Sequence, residues 1–177
     1  MELERLFRAR SPGPEVTERV GERLGAALGP GALLALDGEL GSGKTTFVRG
    51  LARGLGVSAS VCSPTFTRMR VLPGRLALYH FDAWRGGAES LFEEGAELLG
   101  GDGVAVVEWA ERVVASLPQP RIALGLHHRS PEVRELEAGL VGPAPGAGPG
   151  ARELADRLRA ALIRAGETEG LEILAWP

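Results

Sequence analysis

The chain contains no asparagine, and only one glutamine, one tyrosine, one lysine and one cysteine among its 177 residues. The single cysteine, Cys62, excludes an internal disulfide and fits a reducing compartment, where its expected place is a small core position. No apolar run approaches the ~18 residues that a membrane-spanning helix needs. The opening Met1-Glu2-Leu3-Glu4-Arg5 lacks the charged-then-apolar form of a signal peptide, so a cytoplasmic protein without membrane contact is expected. There is no basic block, and the net charge is −3, which argues against direct electrostatic binding of nucleic acid. The shortage of Asn, Gln, Cys and Met fits heat adaptation. A GC-biased genome gives the same excess of Arg, Gly, Ala and Pro.

Against that background one stretch stands out. Leu33-Leu34-Ala35-Leu36-Asp37 is a short apolar run. Gly38-Glu39-Leu40-Gly41-Ser42-Gly43-Lys44-Thr45 follows it, and then Thr46-Phe47-Val48. The middle piece is G-x-x-x-x-G-K-T, the phosphate-binding loop pattern, between a predicted strand and a predicted helix. At this chain's composition the pattern arises by chance in roughly two chains per thousand. The helix begins with N–H groups that have no partner within it, and its dipole adds positive potential at the same end. Glycines allow a backbone close enough for those amides to meet phosphate oxygens. The 20 basic residues are 19 arginines and Lys44. The chain therefore keeps its one compact ammonium where it can reach β- and γ-phosphates. Thr45 can ligate a magnesium ion that bridges them. The dinucleotide pattern G-x-G-x-x-G fails, because Thr46 stands where its third glycine belongs.

Around this loop the sequence predicts an α/β fold, a P-loop NTPase-like three-layer sandwich with a mixed central sheet including antiparallel strands. The length suits a single domain over residues 1–177. Residues 2–9 read as a strand and 15–28 as a helix with Val16, Val20, Leu24, Ala27 and Leu28 on one face. A helix over 44–55 would bury Phe47, Val48, Leu51 and Leu55. Strands at 66–71 and 75–81 are joined by so short a link that they must run antiparallel. Short helical pieces broken at Gly95 are expected within 88–99, a buried strand at 104–107, and a short helix at 110–117. Two strands, 121–129 and 133–141, come next. Residues 139–150, rich in Gly, Pro and Ala, read as a flexible connector. A final helix at 151–165 would turn Leu154, Leu158, Leu162 and Ile163 inward. The remaining tail has no assignment.

A nucleotide loop needs an acid beside it to hold magnesium, normally where a neighbouring strand ends. Two predicted strands end in acids, at Asp82 and at Glu108. The other aspartates offer less: Asp156 lies on an amphipathic helix, Asp102 in a glycine turn, and Asp37 at the loop's entrance, where it can shape the turn. Asp82 and Glu108 are thus the candidate metal-side pair, and the competing reading is that each only caps its strand. Thr65, in Ser63-Pro64-Thr65-Phe66-Thr67, can serve as a switch threonine over a γ-phosphate or merely form a Pro-Thr turn. Arg85 can neutralise phosphate charge, though most of 19 arginines are solvated. His80, His127 and His128 read as structural, and Trp109 as core packing.

G-E-L-G-S-G-K-T-T-F-x-R-G, S-P-T-F-T, Y-H-F-D-x-W-R and V-E-W, in this order and spacing, resemble TsaE, the bacterial ATPase of the tRNA threonylcarbamoyladenosine modification pathway. The resemblance runs from about Glu15 to about Leu126. It implies ATP and Mg2+ as ligands, slow hydrolysis by the subunit alone, and two partners, TsaB and TsaD, that carry out the transfer to tRNA. tRNA is then met indirectly, through the complex. By motif position it implies Lys44 as the phosphate lysine, and Thr45, Asp82 and Glu108 on the magnesium side. Thr65 would be the switch threonine, and Thr17 a threonine near the nucleotide. Trp84 and Arg68 depart from the family's usual tyrosine and apolar residue, and the tail from Glu167 is longer than usual. A small-molecule kinase of P-loop type is the competing reading, but residues 86–103 are acidic and glycine-rich, unlike an arginine-bearing lid. The expected chemistry is mainly electrostatic, with catalytic roles for Lys44, Asp82, Thr65 and Glu108. Glu108 either orients water or holds the metal.

Overall fold

The computed structural model describes residues 2–64, 67–85, 95–142 and 149–175. In chain order the elements are β1 (Glu2–Ser11), α1 (Pro14–Ala27), β2 (Leu33–Asp37), α2 (Lys44–Gly54), β3 (Met69–Leu72) and β4 (Leu78–Asp82). After these come β5 (Val104–Glu108), β6 (Arg121–His128), β7 (Arg134–Gly142), α3 (Pro149–Glu169) and β8 (Glu172–Ala175). The eight described strands make one sheet in the order β3-β4-β5-β2-β6-β7-β1-β8. The central four, β4, β5, β2 and β6, run parallel, and the flanking pairs are antiparallel. β4 and β5 are buried along their whole length, as strands covered on both faces must be.

Alternation along the strands divides the core in two. Leu34, Leu36, Leu78, Val104 and Val106 point toward α1, α2 and α3. Leu33, Ala35, Tyr79, Phe81, Ala105 and Val107 point the other way, under Ala110, Val113 and Leu117. α2 buries Phe47, Val48, Leu51 and Leu55 as its spacing predicts. Its crossing with α1 is unusually close. A Cβ on Gly21 or Gly25 of α1, or on Gly50 or Gly54 of α2, would collide with the backbone of the opposite helix. Four glycines therefore set how near α2 lies to α1 and, with it, where the loop that starts α2 sits.

Several expectations need correction. Residues 110–117 form two 3₁₀ turns, Ala110–Arg112 and Val114–Ser116, because Val113, at φ −129°, interrupts any continuous helix. The two ends of the stretch read as a connector are ordered. Gly139 to Gly142 belong to β7, where Gly139 pairs with both Ala123 and Arg5, since a ladder needs only backbone groups that composition does not reveal. Helix α3 extends that order from Pro149, and residues 143–148 lie outside the described residues. Along α3, Leu158 and Leu162 are buried, but Ile163 is 48% exposed; the side chain of Leu154 lies outside the description. The unassigned tail supplies α3's last turn and strand β8, paired to β1 with Arg10 on Glu172 at 3.0 Å. Cys62 is exposed rather than buried. Of the pieces expected in 88–99, residues 96–98 form a 3₁₀ turn, and 86–94 lie outside the described residues.

Candidate functional site

β2 delivers the chain into the 38–43 loop at the sheet's C-terminal edge, and α2 leaves it at Lys44. Gly38 has φ 141° and no room for a Cβ beside the Leu126 carbonyl, while Gly43 has φ 103° as the cap of α2. Side chains at those two positions would strain or block the turn. Leu40, at the crest, is 83% exposed. The hydroxyl of Ser42 points into the loop, buried and without a hydrogen-bond partner.

Alternation places His80 and Asp82 of β4, and Glu108 of β5, on the face that α2 covers. Asp82 and Glu108 are direct neighbours in the parallel register. Both are nearly fully buried. The hydroxyl of Thr45, in the first turn of α2, lies 3.2 and 3.3 Å from the two oxygens of Glu108. His80 Nε2 meets Glu108 Oε1 at 2.9 Å from a fully buried position. Asp82 accepts from the Ser63 hydroxyl at 3.0 Å and from the Trp84 N–H at 2.8 Å. Sequence reasoning treated Ser63 only as the residue before Pro64; here it steadies one of the acids.

Lys44 donates to the carbonyls of Gly38 (2.6 Å) and Glu39 (3.0 Å) and lies 3.7 Å from the centre of the Trp109 ring. Burial lowers its pKa, opposed by the charges of Glu108, Glu111, Asp82 and Asp37. Trp109 adopts φ 60°, a left-handed conformation rare for a bulky residue. Its ring centre lies 4.4 Å from that of Trp84, tilted by 44°, and the Arg112 guanidinium lies 4.2 Å from the centre of the Trp84 ring. Trp109 thus does more than fill core. Asp37 accepts from the Glu111 N–H at 2.8 Å, tying the 110–112 turn to the loop's entrance. Burial, and then a hydrogen bond between the Glu111 side chain and Asp37, raise the pKa of Glu111.

Beside the loop a cleft of about 420 Å³ opens between the start of α1, the glycines of the loop and the β6–β7 turn. Thr17 lines it, with its hydroxyl 2.8 Å from that of Ser11. Arg134 forms the far wall, and sequence reasoning missed it, because one arginine among 19 carries no signal. A smaller depression of about 270 Å³ lies near Glu39, His127 and His128. Below it Glu135 is clamped by Arg8 and Arg129, and its pKa falls to about 2, with the Arg129 hydrogen bond the largest cause. Thr65 lies outside the described residues; Arg85 follows Asp82 in a turn.

The structure thus brings together Lys44, Thr45, Asp82 and Glu108 at one end of the sheet, with Thr17 across an adjoining cleft. Among the described residues no group of three or more His, Cys, Asp and Glu side chains forms a complete metal cage. The oxygen donors of Thr45, Asp82 and Glu108 fit magnesium, which keeps several waters and takes few protein ligands. Among the described residues no helix is long and apolar enough to cross a membrane.

The sequence model of the threonylcarbamoyl adenosine biosynthesis protein TsaE matches residues 11–136. The tRNA threonylcarbamoyladenosine biosynthesis protein TsaE of Treponema pallidum is 42% identical over 132 residues, 73% of this chain and 98% of that protein. The Bacillus subtilis protein of the same name is 40% identical over 134 residues, 75% of this chain and 85% of its own. The crystal structure of Bacillus subtilis YdiB superposes with a TM-score of 0.70 at 28% identity, covering 96% of this chain and 99% of that one.

Proposed function

The chain belongs to the TsaE family, and from that premise we propose that it is a magnesium-dependent ATPase that supports tRNA threonylcarbamoyladenosine modification together with TsaB and TsaD. The observation that carries the reading is the meeting of the loop's helix with two buried strand-end acids: Thr45 lies within 3.3 Å of Glu108, and Asp82 is its neighbour in register. Buried acids gathered at the mouth of a phosphate loop suit a metal–triphosphate better than structural caps, which have no need of one another.

In this reading the amides at the start of α2 and the ammonium of Lys44 hold the triphosphate, with Lys44 turning from its own loop carbonyls toward phosphate. When bound, magnesium would supply charge neutralisation between the β- and γ-phosphates, with Thr45, Asp82 and Glu108 as its protein-side residues. Ser63 and the Trp84 amide fix the Asp82 carboxylate, and His80 fixes that of Glu108. Held this way, Glu108 can orient an attacking water. The cleft walled by Thr17 takes the nucleoside end. Thr65, outside the described residues, is assigned the switch role over the γ-phosphate by motif position alone.

Steady-state phosphate release, with and without a TsaB–TsaD pair, tests the proposal. Slow release alone and faster release with the pair is the expected result. No release under either condition would contradict it, and transfer of labelled γ-phosphate to a small acceptor would favour a kinase.

A further inference from the structure

We propose that Arg134 is a positioning residue for the phosphate loop, holding its peptide groups from behind so that the Ser42 N–H closes the loop and the Gly43 N–H faces the nucleotide. The inference rests on the nucleotide-binding reading above and deepens it. Arg134 opens β7 and is distant in sequence from the loop it touches. Its Nε donates to the Ser42 carbonyl at 3.0 Å, and one terminal nitrogen to the Gly41 carbonyl at 3.3 Å. The other terminal nitrogen donates to the carbonyls of Ser130, Pro131 and Val133 at 3.0, 3.2 and 3.1 Å. No ion pair with a carboxylate engages it among the described residues, so its charge is spent on carbonyl dipoles.

Two consequences follow from peptide geometry. A peptide unit is planar and trans, so its C=O and N–H point in opposite directions. Fixing the Gly41 and Ser42 oxygens therefore fixes the N–H groups of Ser42 and Gly43 toward the opposite side. The Ser42 N–H closes the loop on the Glu39 carbonyl at 3.1 Å. The Gly43 N–H stands at the mouth of α2, where an anion is met. The guanidinium also lies close behind Gly43, its Nε 3.9 Å from where a Cβ would stand, and adds positive potential to the cradle. The same side chain walls the cleft with Thr17, Pro131 and Glu132. One planar fork thus joins the β6–β7 turn to the loop. A lysine could not do this, because a single ammonium on a flexible stem does not span two carbonyls on one side and three on the other.

The experiment compares ATP affinity by calorimetry in wild type, Arg134→Lys and Arg134→Ala, with the melting temperature of each. The expected result is a loss of about tenfold or more in affinity for both variants. Arg134→Lys should melt near wild type, and millimolar methylguanidinium should restore part of the affinity of Arg134→Ala but none to Lys44→Ala. Wild-type affinity in a folded Arg134→Lys protein would overturn the proposal. So would losses that simply follow the melting temperature and resist methylguanidinium. A wild-type protein that binds no ATP would reject the nucleotide reading itself, a result distinguishable from either.

Discussion

Lys44 stands where four acids and the face of Trp109 surround a single ammonium, in a chain otherwise provided only with arginine. Replacing it with alanine should abolish ATP binding, measured by calorimetry, while leaving the fold intact. Asp82→Ala and Glu108→Ala should keep some binding and stop turnover, since each removes a metal-side group and leaves the amide cradle in place. The cation–π contact also gives a direct reporter. ATP that draws Lys44 away from Trp109 should change tryptophan emission, and Trp109→Phe should remove most of the change. Glu135 supports a prediction about acid. Its folded pKa of about 2 lies below the ordinary 4.5, so its stabilisation is present above about pH 4.5 and is lost as the pH falls toward 2. Because its two arginines are about half exposed, the contribution is at most about 1 kcal/mol rather than the full shift. Urea midpoints of wild type and Glu135→Gln should therefore differ at pH 7 and converge only as the pH falls toward 2. At this scale the 38–45 loop was legible as a turn between strand and helix because its glycines, lysine and threonine follow a fixed spacing. Arg134, Ser63 and Glu135 were not, since each has a partner distant in sequence and their residue types are common.

Among the elements, α2 and α1 decide where the loop stands. Their four glycines carry no signal of this in the sequence, where glycine only lowers helix propensity. The cause is tertiary: any side chain there would meet the facing backbone. Gly50→Ala should therefore destabilise the protein by about 1–3 kcal/mol or more despite its better helix propensity, with a fall of several degrees in melting temperature. The same contrast between local and distant causes explains the 110–117 stretch. Its apolar residues suit a helix, yet Trp109 in a left-handed conformation and Val113 out of helical geometry divide it into two turns. β2 and β5 of the parallel centre were legible because continuous apolar runs ending in acids have few other uses.

For the whole molecule, the sheet order separates two tasks. The parallel centre, β4-β5-β2-β6, carries the candidate site, and the antiparallel flank β7-β1-β8 extends the scaffold. β8 lies four strand spacings from β2, roughly 19 Å away. Glu169 ties the end of α3 to Arg19 and Arg23 of α1. Ending the chain after Thr168 should lower the melting temperature by several degrees yet leave ATP affinity within about twofold, a result that requires the tail to act on stability alone. The tail was illegible in the sequence because an edge strand of four residues has no periodicity of its own and is defined only by its pairing with β1.

The most direct test is the magnesium dependence of ATP binding, measured by calorimetry in wild type and in Asp82→Ala and Glu108→Ala. The account predicts one ATP per chain, bound more tightly with magnesium in wild type, and a clear loss of that magnesium effect in both variants. An equal magnesium effect in all three proteins, or no ATP bound by wild type, would contradict it.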